Sequence, residues 1–252
     1  MTQEERENLL IDEKYPLAAK YNPKWMIDNA MGSPCLLLAE SLSKAMELKP
    51  GMRILDMGCG TALSSIFFAK EFGVTVFATD MWVKPSDNWN RICEADLQSL
   101  VFPIYGEAHS LPYANNFFDA IISINSFQFF GTSDYYLCEH MSQLLRPEGQ
   151  LGLVVMSPDK EFNGKVPDEM EKWWWPDFYY FHSLEWWKWH FEKTRLYTLE
   201  TGDDLGGDGI RVHKLWSKIE GTHYEYMRNS DVFRWNRMVF RRNNSHSDDF
   251  RK

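Results

Sequence analysis

The chain has 252 residues, 44% of them hydrophobic and 25% charged, with a formal net charge of -9. That is a globular composition long enough for one large domain with a sizeable core, and it is not that of a disordered chain. The acidic balance offers no electrostatic footprint for a nucleic-acid backbone, which argues against DNA or RNA as substrate. No apolar run approaches the roughly 20 residues needed to span a bilayer, so membrane insertion is not expected. The N-terminus, Met1 to Glu7, is acidic and polar and does not read as a signal peptide.

The first elements read as helices. Glu4 to Tyr15 is a charged helix broken at Tyr15-Pro16, and Asn22-Pro23 opens a second short helix as N-cap and first turn. Pro34 opens a third, with Leu36, Leu37, Leu38, Leu42 and Met46 as its apolar face.

The chain then reaches Met52-Arg53-Ile54-Leu55-Asp56-Met57-Gly58-Cys59-Gly60-Thr61. Ile54 and Leu55 read as the end of a buried strand, Gly58 and Gly60 as a tight turn, and Ala62 to Phe72 as a helix ended by Gly73. Strand, glycine turn and helix form the arrangement in which open α/β sheets bind nucleotides. The dinucleotide fingerprint needs a third small residue where this chain has Leu63, which disfavours an NAD-dependent oxidoreductase. Asp56 disfavours it further, because a carboxylate at the strand end repels a pyrophosphate but suits a ligand carrying an ammonium group. The D-x-G-x-G stretch resembles motif I of the class I S-adenosylmethionine (SAM)-dependent methyltransferases. The resemblance implies that Asp56, Met57, Gly58, Gly60 and Thr61 hold SAM. It also implies that the leading helices fold over the ligand, with Tyr21 and Trp25 as candidate substrate aromatics and Tyr21 a weak catalytic candidate. The bland reading of those two rings is ordinary aromatic packing.

Val74 to Thr79 is rich in β-formers and ends at Asp80. A carboxylate about 20 positions past the glycine turn suits both hydroxyls of a ribose, and Met81 and Trp82 follow it as candidates to pack on the adenine. Pro85 to Leu97 reads as a helix and Val101 to Tyr105 as a third strand. The next stretch, Gly106-Glu107-Ala108-His109, resembles the family segment that reads adenine: Glu107 through its carboxylate and Ala108 through its amide, although Asp is the commoner residue at the first place. His109 is a weak general-base candidate. Phe117 to Asn125 is an apolar fourth strand, buried on both faces, whose end Ile124 to Phe130 should border the glycine turn, with Asn125 as a SAM contact. Ser133 to Leu145 reads as a helix, and L-x-P-x-G (Leu145 to Gly149) before the fifth strand, Leu151 to Val155, resembles the family's signature at that place.

From Asp159 the composition changes. Trp173, Trp174, Trp175, Tyr179 and Tyr180 crowd one short stretch, and Ser183 caps a helix, Leu184 to Lys193, carrying Trp186, Trp187, Trp189 and Phe191. These aromatics exceed what one core face needs. They are candidates for a substrate pocket, a lid or a homodimer contact, with core packing as the bland alternative. Tyr197 to Glu200, a helix within Gly206 to Met227, the strand Trp235 to Arg241 and a frayed tail from Asn243 complete the chain.

The four cysteines are scattered and read as free thiols, and no paired histidine or cysteine spacing suggests a metal. The expectation is therefore an α/β protein with a Rossmann-like, seven-stranded, mostly parallel sheet. An N-terminal helical lid (1–48), SAM-binding core (49–157), aromatic-rich cap (158–193) and C-terminal sheet edge and tail (194–252) would form one domain. The strand count and an antiparallel edge hairpin come from the resemblance. It further implies an enzyme that methylates a small molecule, similar to the ubiquinone/menaquinone methyltransferase branch, while the free thiols read as those of a cytoplasmic protein. Two alternatives stay open: a non-catalytic SAM-binding regulator and a cyclopropane-fatty-acid-synthase-like lipid-modifying enzyme, the latter without the basic amphipathic helix it would use.

Overall fold

A computed structural model describes residues 1–174, 176–220 and 231–244, with the backbone alone at Glu169, Lys172, Trp173 and Asp177. Trp175, the last part of the predicted Gly206–Met227 segment and most of the predicted frayed tail lie outside the described residues.

The seven strands are β1 (Arg53–Met57), β2 (Thr75–Asp80), β3 (Val101–Tyr105), β4 (Phe118–Ile124), β5 (Leu145–Pro158), β6 (Tyr197–Asp203) and β7 (Phe233–Arg242). They form one sheet in the order β3-β2-β1-β4-β5-β7-β6. β1 pairs in parallel with both β2 and β4, so the direction of winding reverses beside β1. That reversal opens a crevice at the carboxyl ends of the strands, where this class of sheet binds ligands. β7 is antiparallel to β5 and β6 and lies between them. β6 and β7 are thus the antiparallel pair expected at the edge, with β6 outermost, joined by a long connection that contains a helix and not by a tight turn. β5 is apolar on both faces and could not leave its backbone edge in water, and β7, with Trp235, Met238, Val239 and Phe240 all buried, pairs with that edge.

Helices cover both faces. On one side α3 (Cys35–Ser43), α4 (Leu63–Phe72) and α9 (Gly209–Glu220) bury Leu36, Leu42, Phe67, Phe68, Val212 and Trp216 against the sheet. On the other, Leu137, Met141, Trp187 and Phe191 pack on Leu55, Ile121, Leu153 and Phe240. α5 (Pro85–Glu94) joins β2 to β3.

Two predicted helices differ from expectation for local reasons. α1 is only Gln3–Asn8, held at its start by a Thr2/Glu5 capping box. Beyond it, the Asp12 side chain accepts the Lys14 amide, and that local turn competes with the helix while Leu10 and Tyr15 turn inward. The predicted Ser133–Leu145 helix is α6 (Asp134–Tyr136), a π-helical turn (Leu137–Met141) and α7 (Ser142–Leu144). The widened turn carries His140 beside Tyr136, their rings stacked with centroids 5.9 Å apart. α2 (Pro23–Asp28) forms as predicted, with the Asn22 side chain accepting the Trp25 amide.

The aromatic helix α8 (Leu184–Glu192) resolves face by face. Trp187 and Phe191 are core, and Phe191 stacks on Phe240 of β7 at 4.0 Å. Trp186 lies between His182 and His190 at 3.6 and 4.5 Å. Trp189 is on the surface beneath the Lys193 ammonium. Phe240→Ala should therefore cost about 3–5 kcal/mol by opening a cavity between α8 and the sheet. Chemical denaturation would read this, and a loss under 1 kcal/mol would mean that α8 contributes little to the core.

Candidate functional site

The turn after β1 follows an unusual path. Gly58, Gly60 and Ala62 all have left-handed backbones, with φ of 70°, 53° and 62°. The amides of the turn are engaged within the protein: Gly58 and Cys59 donate to the Thr79 carbonyl at 2.9 and 3.2 Å, Gly60 donates to Asp80, and Ala62 donates to the Cys59 carbonyl at 2.9 Å, which pins the turn to the end of β2. Close approach also requires the glycines. A Cβ on Gly58 would lie 2.3 Å from Ser126 Oγ, and one on Gly60 2.8 Å from Met31 Sδ. Ala62 is the position that sequence reasoning missed, since a left-handed non-glycine residue leaves no compositional signal.

Two carboxylates brace the turn. Asp80 Oδ2 accepts the Gly60 amide at 2.9 Å, and Oδ1 accepts the amides of Trp82 and Val83 at 2.7 and 2.9 Å. A carboxylate has about four acceptor positions, so one remains, which is fewer than a ribose diol would use. Asp56 is fully buried beneath the turn, where its Oδ2 accepts hydroxyls of Ser64 and Ser65 at 2.6 Å each. Its Oδ1 is buried with no hydrogen-bond partner among the described residues. Burial pushes its carboxyl up to about 6, against the lowering effect of the two serine hydroxyls. Asp56 is not itself on the cavity wall; Ser64, which donates to it, is.

Above the turn lies a cavity of about 300 Å³ at the ends of β1, β2 and β4. Of the residues singled out in the sequence, Met57, Gly58, Gly60, Thr61, Asp80, Met81, Trp82, Glu107, Ala108, His109 and Asn125 all line it. Glu107 is turned toward His109: Oε1 meets His109 Nδ1 at 2.7 Å and Oε2 accepts the His109 amide at 2.9 Å. Burial raises the Glu107 carboxyl, but these bonds outweigh it and hold the group below the ordinary carboxylate range. Asn125 has a left-handed backbone, and its side-chain oxygen accepts from Gln128 at 3.3 Å.

The part of the N-terminal region that reaches the cavity is Asn29 to Cys35, through Asn29, Met31, Ser33 and Cys35. Thr61 Oγ1 donates to the Asn29 carbonyl at 2.5 Å and Arg91 Nε to the Asn29 side chain at 2.6 Å, which hold this strap over the turn. Tyr21 and Trp25 do not line the cavity. Tyr21 is buried with its ring near Trp25 and Phe67 of α4, and its hydroxyl donates to Glu71 at 3.3 Å. Burial pushes that hydroxyl far above its ordinary range, so it is no base. Those rings are apolar neighbours of α4, and Asn29 to Cys35 gave no motif by which to be preferred to them.

The aromatic segment sits to one side. Trp174 packs with Phe162, Phe178 and Tyr179, beside the buried cluster of Met170, Phe178, Phe181 and Phe233. Tyr179 is exposed. Tyr180 meets the cavity only through Phe129, a lining residue, with ring centroids 5.7 Å apart. The Trp173 side chain and Trp175 are outside what is described. Phe129, Phe130 and Ser126 complete the wall after β4.

The methyltransferase-domain family matches residues 54–149, the span from β1 to the start of β5. This chain carries a class I methyltransferase domain. Over part of its length it is 32% identical to a demethylmenaquinone methyltransferase of Listeria monocytogenes, the match covering 45% of this chain and 48% of that one. It is 29% identical to the 27-O-demethylrifamycin SV methyltransferase of Amycolatopsis mediterranei, over 48% and 46% of the two chains. The chain thus spans about half the length of the curated relatives it matches. In fold it is similar to the [4+2]-cyclase SpnF, with a TM-score of 0.67 at 18% identity over 82% and 80% of the chains. It is also similar to geranyl diphosphate C-methyltransferase from Streptomyces coelicolor, with a TM-score of 0.65 at 17% identity over 81% and 77%. Among the described residues no helix is long and apolar enough to cross a membrane, and no group of three or more His, Cys, Asp or Glu could hold a metal ion.

The raised Asp56 carboxyl makes a pH prediction. An acid that is harder to ionise folded than unfolded favours the folded state fully below its unfolded value near 3.8, and that advantage is lost as pH rises through about 6. Relative to Asp56→Asn, the parent protein should lose about 2 kcal/mol of stability between pH 4 and pH 7. Parallel urea titrations would measure the difference, and a difference that does not change with pH would mean that Asp56 ionises freely in the fold.

Proposed function

We propose that this chain binds SAM in the cavity above the Gly58–Ala62 turn and transfers its methyl group to a small-molecule acceptor. The observation that carries the reading is the left-handed turn at the switch point of the sheet, with Asp80 across from it and Asp56 beneath. The residues present fit the ligand. Glycine at Gly58 and Gly60 lets the wall residues Ser126 and Met31 close around the turn, and the unpartnered Asp56 Oδ1 beneath it favours a ligand with a cationic tail. In this reading the tail lies against the turn, and the free acceptor position on Asp80 takes one ribose hydroxyl. Met81 and Ala108 flank the adenine, and Asn125 borders the sulfonium. Glu107 would reach the adenine amino group only by loosening one bond to His109, so the Ala108 amide is the firmer adenine contact.

SAM supplies a methyl group already activated on sulfur. The protein's task is to hold the acceptor in line at about 3 Å and keep water out. A general base is needed only for an acceptor that arrives protonated, and His109, held by Glu107, is the cavity residue suited to that role. Tyr180 and the aromatic segment border the acceptor side. The free thiols among the described cysteines suit a reducing cytoplasm.

A second reading draws on the cyclase neighbour. A fold does not set its chemistry, and a SAM-binding protein without methyl transfer would keep the same turn.

SAM or S-adenosylhomocysteine at a hundredfold excess over Kd should stabilise the protein by about 2.7 kcal/mol, roughly 5–10 °C in Tm, while NAD should not. Equal shifts from both, or none from SAM, would sink the assignment. Asp80→Ala should weaken SAM binding by about 1.5–3 kcal/mol, the range for a charged hydrogen bond, and also lower the Tm of the free protein because the Gly60 amide loses its partner. Calorimetry showing a lower Tm with unchanged affinity would make Asp80 a clasp for the turn alone.

A further inference from the structure

The charge of the acceptor can be read from the cavity wall, given the methyltransferase reading above. Its outer rim is aromatic. Phe129 lies between Trp82, at 6.4 Å, and Tyr180, at 5.7 Å. All three are on the surface, with 37%, 70% and 43% of Phe129, Trp82 and Tyr180 exposed. Rings grouped around an opening, with Met31 and Phe130 also on the wall, are a receiving surface for an apolar molecule.

The ionisable groups on the wall decide what that molecule cannot carry. Among the described residues the cavity is lined by Asp80, Glu107 and His109 and by no Lys or Arg. Arg91, which reaches the lining residue Asn29, also donates to the Asp87 carbonyl and the Asn88 side chain. A phosphate or carboxylate entering here would lose its water and meet no fixed cation, a cost of several kcal/mol. An ammonium acceptor fares no better. Three backbone amides already occupy Asp80, and His109 engages both oxygens of Glu107. SAM would bring its own sulfonium and ammonium into the same space and repel a further cation.

We propose that the acceptor is an uncharged, apolar small molecule received against Phe129 and Trp82, and that the site discriminates against both anionic and cationic analogues of it. Three probes of one shape test this: 1-naphthol, 1-naphthoate and 1-naphthylmethylammonium, titrated calorimetrically at pH 7 into the full chain with and without S-adenosylhomocysteine. The neutral probe should bind at least tenfold more tightly than either ion. Phe129→Ala, at an exposed rim position, should weaken 1-naphthol at least fivefold and leave S-adenosylhomocysteine affinity within twofold. Equal or tighter binding of either ion, no binding of 1-naphthol, or 1-naphthol binding indifferent to Phe129 would each overturn the inference. Failure of S-adenosylhomocysteine to bind would count against the methyltransferase reading instead, and the ranking of the three probes on the free protein would still decide this one.

Discussion

The bond between Asp80 and the Gly60 amide, with the Gly58 and Cys59 amides donating to the Thr79 carbonyl, joins the two strand ends on which the site is built. β1 must reverse into α4 within a few residues while its amides stay bonded to the end of β2. A chain doing so through three left-handed residues is strained at Ala62, where a side chain is present. Asp80 offsets that strain from the neighbouring strand. It can do so because β1 and β2 are paired in parallel, with Met57 beside Thr79, so that both chains leave the sheet at the same level.

The same arrangement explains why a carboxylate is tolerated under the turn. Asp56 has no countercharge in contact, and its ionised form is opposed by burial and by Asp80 nearby. The hydroxyls of Ser64 and Ser65 satisfy one oxygen and leave the other bare. An unsatisfied buried oxygen normally costs stability. This one persists beneath the wall residue Ser64, the kind of uncompensated buried group that clusters at functional sites.

The apolar side of the cavity arises from different physics. Trp82, Phe129 and Tyr180 come from the β2 end, the β4 end and the segment after β5. They meet because those ends open on one side of the sheet. Most of the remaining aromatics are spent on packing: Phe178 and Phe181 close over Phe233, and Phe191 over Phe240. The density of rings in the sequence therefore overstates the recognition surface. The rim that faces the cavity is small, and it is the part that packing leaves uncovered.

Periodicity and turn chemistry in the sequence determined the strands, the glycine turn and the Asp80 spacing, because each depends on contacts close along the chain or on a repeating pattern of burial. The mostly parallel sheet followed from its resemblance to a known family. Tertiary structure alone decided what covers the turn. Asn29 to Cys35 carries no motif, and it reaches Gly60 and Thr61 only because α3 packs against α4. Tyr21 and Trp25 had the more suggestive side chains, but their place on the outer face of α4 keeps them from the cavity. Glu107 had the expected position, yet its partner is His109, a choice made by the geometry of one short turn. The place of β7 between β5 and β6 was likewise settled by which backbone edges remained to be paired, and no local stretch of sequence encodes that.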